Sequence, residues 1–192
     1  MRNREELRLV GSGGQGVILA SVILAEAAIL AGKNAAQSQS YGPEARGGAC
    51  AAQAVISNGD LGFPKVRVPS FLMALTEQSL EKYGKNLPED CVILVDSSLE
   101  IPEWLAARKY YQAPILQAAI EQVGKPQTAN IVAVAVINKL LDIVPPEVLK
   151  AKADTMTPEE LAGKAVIGCF RNEPDVPEYT AEYTKLIERL KK

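Results

Sequence analysis

The chain has 192 residues, 47% of them hydrophobic, enough to bury a full core within a single domain. Its formal charge is only −2 and its 21 basic residues are spread along the chain, so it carries no nucleic-acid footprint or polybasic membrane patch. It has no histidine, and Cys50, Cys91 and Cys169 share no CxxC pairing, which excludes the usual zinc sets, a histidine-based triad and a self-contained iron–sulfur site.

Leu7 to Val10 reads as a first strand, and Val17 to Ala31 as a first helix that Gly32 ends with a left-handed cap. That helix is apolar on nearly every face, so it is expected under the sheet or in a contact with a second copy or another subunit. Its apolar run superficially imitates a signal peptide or membrane span. Glu5 and Glu6 ahead of it, Glu26 within it and its short length argue instead for a buried helix in a cytoplasmic protein. Three cysteines without a pairing pattern suit the same reducing compartment, each as a small buried hydrophobe.

Between strand and helix lies Gly11-Ser12-Gly13-Gly14-Gln15-Gly16, in which Gly11, Gly13 and Gly16 satisfy G-x-G-x-x-G in the right context. Such a loop presents backbone N–H groups and a helix N-terminus to a phosphate or carboxylate. Tight strand–helix packing, or the close approach of another subunit's backbone, is the alternative use of the same glycines. A nicotinamide-binding unit would next place an acid about 20 residues on to hold the ribose. Lys33 to Gln39 contains none, so an NAD-linked dehydrogenase lacks its second anchor.

Asn34 to Ser38 is expected as a second strand, and Ala49 to Ile56 as a third, running to the Asn58-Gly59-Asp60 turn. Between them, Tyr41, Gly42, Glu44, Arg46 and Gly47 form a candidate ligand or interface segment. Pro43 stiffens it, its glycines admit a close backbone, and Arg46 is a fork suited to carboxylate or phosphate. Read without a partner, Glu44 and Arg46 are a surface ion pair worth about 0–1 kcal/mol.

Ser70 is expected to cap a helix from Phe71 to Tyr83 that Gly84 closes. Cys91 to Val95 is a continuous apolar strand, as burial on both faces requires, and it delivers Asp96 to the carboxyl edge of the sheet as either a ligand-orienting acid or an N-cap. After a mixed stretch around Trp104, Pro114 to Val123 and Ala129 to Val144 read as helices, with Asn130 as a cap or polar contact. Pro145, Pro146 and Pro158 break up the C-terminal part of the chain, and Tyr179 to Lys192 forms a charged terminal helix able to reach a neighbour. The whole predicts a three-layer, Rossmann-like α/β fold with a mostly parallel sheet: one domain over residues 1–178, and the helix of residues 179–192.

The Gly-Ser-Gly-Gly-Gln-Gly-Val loop, the Ser-Tyr-Gly-Pro-Glu-Ala-Arg-Gly-Gly segment and the Asn130 helix together resemble the gamma subunits of the 2-oxoacid:ferredoxin oxidoreductases, from about residue 5 to 170. The resemblance implies a complex that oxidatively decarboxylates a 2-oxoacid, reduces ferredoxin and transfers the acyl group to coenzyme A. It implies alpha, beta and ferredoxin-like delta partners that hold thiamine diphosphate, magnesium and the iron–sulfur clusters, with coenzyme A as co-substrate. It gives this chain binding or interface residues, Gly11 to Gly16 and the Tyr41-to-Gly48 loop, with no catalytic and no metal-ligating residue. The second segment looks most like the 2-oxoglutarate enzymes, with pyruvate, 2-oxoisovalerate and indolepyruvate enzymes as neighbours. A free-standing adenine-nucleotide-binding module is the competing reading, supported by the glycine loop alone.

Overall fold

A computed structural model describes residues 3–40 and 48–154. The segment from Tyr41 to Gly47, Cys169, the boundary at residue 178 and the helix expected over residues 179–192 lie outside the described residues. Six strands form one sheet in the order β2-β3-β1-β4-β5-β6: β1 Arg4–Ser12, β2 Asn34–Ser40, β3 Ala49–Ser57, β4 Phe71–Ala74, β5 Val92–Asp96 and β6 Tyr111–Ala113. β1, β4, β5 and β6 are mutually parallel, while β3 is antiparallel both to β1 and to β2. Five of these strands therefore point one way and β3 alone opposes them, so the sheet is mixed in its pairings and mostly parallel in direction.

Alternation along the strands builds two cores. Leu7 and Leu9 of β1, with Phe71 and Met73 of β4, face α1 (Val17–Leu30), α4 (Ile115–Glu121), α5 (Ala129–Leu141) and α6 (Pro146–Asp154). Val10, Leu72, Ala74, Ile93 and Val95 face Leu80 of α2 (Glu77–Gly84) and Leu105 of α3 (Glu103–Ala106). Helices thus cover both faces, and the three-layer expectation holds. α1 ends as its sequence predicts: Lys33 N–H donates to Ala28 O (2.9 Å) and Gly32 N–H to Ile29 O (2.9 Å), with Gly32 at φ 78°, the paired bonds of a Schellman cap.

Four expectations are corrected. Phe71 to Ala74 is not the start of a helix but a fully buried strand between β1 and β5; four apolar residues cannot distinguish the two periods, and burial on both faces decides for the strand. The cap of the real helix is Thr76, whose Oγ1 accepts from Ser79 N–H (3.3 Å), whereas Ser70 Oγ donates to Glu5 Oε2 (2.5 Å) and accepts from Glu6 N–H (2.8 Å). The Pro145-Pro146 pair does not merely break the chain: Pro146 opens α6, because a proline in the first turn sacrifices no helical hydrogen bond. α6 then buries Leu149 and pairs Lys152 Nζ with Glu26 Oε2 of α1 at 2.5 Å. The helix expected to run to Val144 stops at Leu141, where Asp142 turns left-handed (φ 49°) and the buried Asn138 carboxamide exchanges two hydrogen bonds with the backbone of Val144.

Candidate binding site at the carboxyl edge of the sheet

β1 passes into α1 on one face of the sheet, whereas its parallel neighbour β4 passes into α2 on the other. The carboxyl ends of β1 and β4 therefore flank a crevice where the connections diverge, the position at which open α/β sheets bind ligands. The glycine loop stands at this crevice. Leu75 N–H donates to Val10 O (3.0 Å), tying the two strand ends together.

The loop is held by its own side chain. Gln15 Oε1 accepts from Ser12 N–H at 2.7 Å, and Gln15 N–H returns to Ser12 O at 3.3 Å, so Gln15 clips the turn while Gly13 and Gly14 remain exposed. A Cβ on Gly11 would fall 2.5 Å from that same Oε1, so the clip requires glycine there. Gly16 is the N-cap of α1 at φ 71°, a conformation costly for other residues, and it supplies no side-chain cap. α1 also has no acid in its first turn. Its first amides and the positive end of its dipole are left for something else.

Four helices begin near this edge, and they divide two and two. α2 is capped by Thr76. α4 is capped from a distance by Asp96, whose Oδ2 accepts from Leu116 N–H (2.8 Å) while Oδ1 accepts from Ser98 N–H (2.9 Å) and Ser98 Oγ (2.6 Å). α1 and α5 have no side-chain cap, and these two are brought together. The Asn130 carboxamide of α5 lies over Gly16, so close that a Cβ on Gly16 would meet Nδ2 at 2.6 Å, Cγ at 2.9 Å and Cβ at 3.0 Å. Asn130 is 2% exposed, and its Oδ1 is buried without a hydrogen-bond partner.

The residues singled out in the sequence are thus sorted. Gly11 to Gly16 and Asn130 converge. Asp96, 1% exposed and two strands away from β1, about 10 Å at the usual strand spacing, has both oxygens engaged and acts as the cap that was one of its two expected roles. Tyr41, Gly42, Glu44, Arg46 and Gly47 lie outside the described residues. Cys50 sits opposite Gly11 in the β1–β3 register, half-buried, and burial raises its thiol pKa, which keeps it a protonated thiol rather than a nucleophile; Cys91 is buried. Sequence reading missed Thr76 as a cap and the Asn130–Gly16 apposition, which joins positions 114 apart and leaves no local signal (130 − 16).

A glycine loop opening an uncapped helix at the switch point of a mixed, mostly parallel sheet defines the class as a three-layer α/β domain whose carboxyl edge has the geometry suited to an anion or carbonyl oxygen. Residues 6–167 match the family described as pyruvate ferredoxin/flavodoxin oxidoreductase, and the chain belongs to it. It is 43% identical over 152 residues to the 2-oxoglutarate synthase subunit KorC of Methanocaldococcus jannaschii, covering 77% of this chain and 80% of that one. The corresponding subunit of Archaeoglobus fulgidus is 37% identical over 148 residues, 77% of this chain and 76% of that one. The keto/oxoacid ferredoxin oxidoreductase gamma subunit of Geobacter sulfurreducens superposes with a TM-score of 0.70 at 34% identity, over 98% of this chain and 94% of that one. A 2-oxoglutarate:ferredoxin oxidoreductase from Magnetococcus marinus, with 2-oxoglutarate, coenzyme A and succinyl-CoA bound, shares the fold (TM-score 0.74, 18% identity) over 99% of this chain and 31% of that one. The resemblance carried by the two N-terminal motifs, and the oxidoreductase class it implied, are borne out.

Proposed function

We propose that this chain is the gamma subunit of a cytoplasmic 2-oxoglutarate:ferredoxin oxidoreductase. The complex converts 2-oxoglutarate, coenzyme A and two oxidised ferredoxins into succinyl-CoA, carbon dioxide, a proton and two reduced ferredoxins. Thiamine diphosphate, magnesium and the iron–sulfur clusters are assigned to the alpha, beta and ferredoxin-like delta subunits and supply decarboxylation and electron transfer. The present chain contributes binding: the loop from Gly11 to Gly16 and the open end of α1 receive an oxygen of coenzyme A as it enters, and Tyr41, Gly42, Glu44, Arg46 and Gly47 are assigned to ligand or partner contact.

The observation that carries this reading is the open N-terminus of α1, which meets the start of α5 at the switch point and leaves donors for a ligand oxygen. The names of the relatives support 2-oxoglutarate as the substrate. Ile29 and Leu30, 55% and 61% exposed at the end of α1, support a contact with a partner chain. No described helix is long and apolar enough to cross a membrane.

The test is native affinity purification of this chain from its own cells, with the eluate assayed for coenzyme-A-dependent oxidation of 2-oxoacids coupled to a low-potential dye. Co-purifying larger subunits and a preference for 2-oxoglutarate are expected. Preference for pyruvate, 2-oxoisovalerate or indolepyruvate would reassign the substrate. A chain that elutes alone and binds adenine nucleotides at micromolar concentration would instead be a free-standing nucleotide module.

A further inference from the structure

We propose that the loop between β3 and β4 is a second contact surface of this chain, where Phe63, Lys65, Arg67 and Val68 dock into an apolar hollow rimmed by carboxylates on another subunit. The inference rests on the reading that this chain works within a complex, and it adds where a partner grips it and by what chemistry. β3 ends beside Arg4 and β4 begins beside Leu7, so the loop stands at the amino edge of the sheet. The glycine loop lies at the other end of the nine-residue β1, about 26 Å away at the usual rise, so the two surfaces are separate.

Two observations carry it. The first is what the loop shows to solvent. Phe63 is 51% and Val68 62% exposed, while Val66 between them is buried and anchors the loop. The Arg67 guanidinium carbon lies 5.3 Å from the centre of the Phe63 ring, and Pro64, Lys65 and Arg67 are exposed around it. An aromatic ring beside an arginine is the pairing of residue types that anchors protein interfaces. The second is that the loop is held in this form by one ion pair of β1. Arg4 donates through Nη1 to Leu61 O and through Nη2 to Phe63 O (3.0 Å), and its Nη2 also bonds Glu6 Oε1 (2.8 Å). Glu6 Oε2 in turn accepts from the amides of Arg67 (2.6 Å) and Val68 (3.0 Å). Pro64 and Pro69 fix φ in the same stretch. A loop clamped at both ends keeps its apolar side chains outside the core, and it meets a partner with little ordering cost.

Charge decides the kind of partner. Residues 61–69 hold Lys65 and Arg67 and no acid, and Glu6 beneath them is spent on Arg4 and on the loop's own amides. The outward surface is thus apolar with a cationic rim, and its complement is an apolar hollow bordered by Asp or Glu. A second copy is a poor complement, because a two-fold contact would set Lys65 and Arg67 against their own counterparts. Two cations also hold a membrane or a nucleic acid too weakly for a docked complex. Another subunit with acidic side chains at this point satisfies both the ring and the charges.

The complex is purified with wild-type chain, Phe63→Ala, Val68→Ala and the double variant Lys65→Glu with Arg67→Glu. Retention of this chain is followed by mass photometry on dilution, at low and at high salt. Phe63→Ala is expected to weaken retention about 30-fold, the size of an interface hot spot. The charge reversal should weaken it at low salt, and added salt should loosen the wild-type complex without loosening the reversed one. Melting temperatures of the full chains should match wild type, since these side chains are exposed, and Val68→Ala carries the test if Phe63→Ala melts lower. Wild-type retention by both alanine variants overturns the surface. Retention that falls with Phe63→Ala but ignores salt and charge reversal overturns the acidic partner, and a chain that dimerises alone through Phe63 makes a second copy the occupant and overturns it too. If no other subunit co-purifies with the wild-type chain, it is the underlying reading that fails, before any variant is examined.

Discussion

Asn130 occupies the space that a side chain on Gly16 would need: the carboxamide carbon lies 2.9 Å from where a Cβ would stand, and Nδ2 lies 2.6 Å from it. A residue at the start of α5 thereby fixes how closely two helix ends approach, and with it the shape of the crevice between β1 and β4.

Gly16→Ala should therefore be severe. The left-handed φ costs about 1–2 kcal/mol for a residue with a Cβ, and overpacking against Asn130 adds about 1–3 kcal/mol. Gly11→Ala should be milder, about 1 kcal/mol, because its obstacle is the mobile end of Gln15, which can swing away at the loss of one hydrogen bond to Ser12. Chemical denaturation of the two variants should rank them in that order, and adding Asn130→Ala should recover part of the Gly16→Ala loss. The reverse ranking would mean that the Gln15 clip, rather than the helix contact, sets the loop.

Asp96 predicts a stability effect separable from binding. Asp96→Ala leaves Leu116 N–H and Ser98 without their acceptor and should cost about 2–4 kcal/mol, while Asp96→Asn, which keeps one acceptor oxygen, should cost less. Folded Asp96→Asn complex should retain wild-type affinity for desulfo-coenzyme A by calorimetry. A large affinity loss in a folded Asp96→Asn complex would return Asp96 to the ligand site.

Glu6 gives the pH dependence. Burial raises its carboxyl pKa, but the Arg4 guanidinium and the amides of Arg67 and Val68 together outweigh that, so the folded value lies below the ordinary 4.5. A depressed acid stabilises the fold above its unfolded pKa, and the contribution disappears as pH falls through the folded pKa. The melting temperature of Glu6→Gln should therefore fall short of wild type by a constant amount from pH 8 down to about 5, and the gap should shrink at lower pH. A gap that persists unchanged at about pH 3 would show that the charge of Glu6 is not what matters.

Gly84 and Trp104 offer an optical check on the opposite face. A Cβ on Gly84 would lie 2.5 Å from Trp104 Cη2 and 2.9 Å from Cζ2, so Gly84→Ala must displace the indole and break its bond from Nε1 to Glu81 Oε2 (3.2 Å). Trp104 is the only tryptophan, and its emission should shift to the red as the ring moves toward solvent. The net destabilisation should be about 1 kcal/mol, since alanine's helix propensity offsets part of the overpacking. Unchanged emission would mean that α2 itself yields instead.

The sequence by itself determined the family, the strand–loop–helix at Gly11 to Gly16, the Schellman end at Gly32 and the doubly buried β5, because each is written in contiguous residues whose backbone or hydrophobic demands have few solutions. It did not determine that Phe71 to Ala74 is a strand. Four buried apolar residues satisfy either period, and only pairing between β1 and β5 decides. Nor could it reveal the long-range capping of α4 by Asp96, 20 residues earlier, or the meeting of Asn130 with Gly16. Those contacts exist because β1, β4 and β5 lie side by side and send their helices to opposite faces, which brings distant polar groups to one edge. Which helix ends are closed by the chain and which stay open is a property of that arrangement, since a cap is satisfied by whatever donor or acceptor the tertiary structure delivers to it.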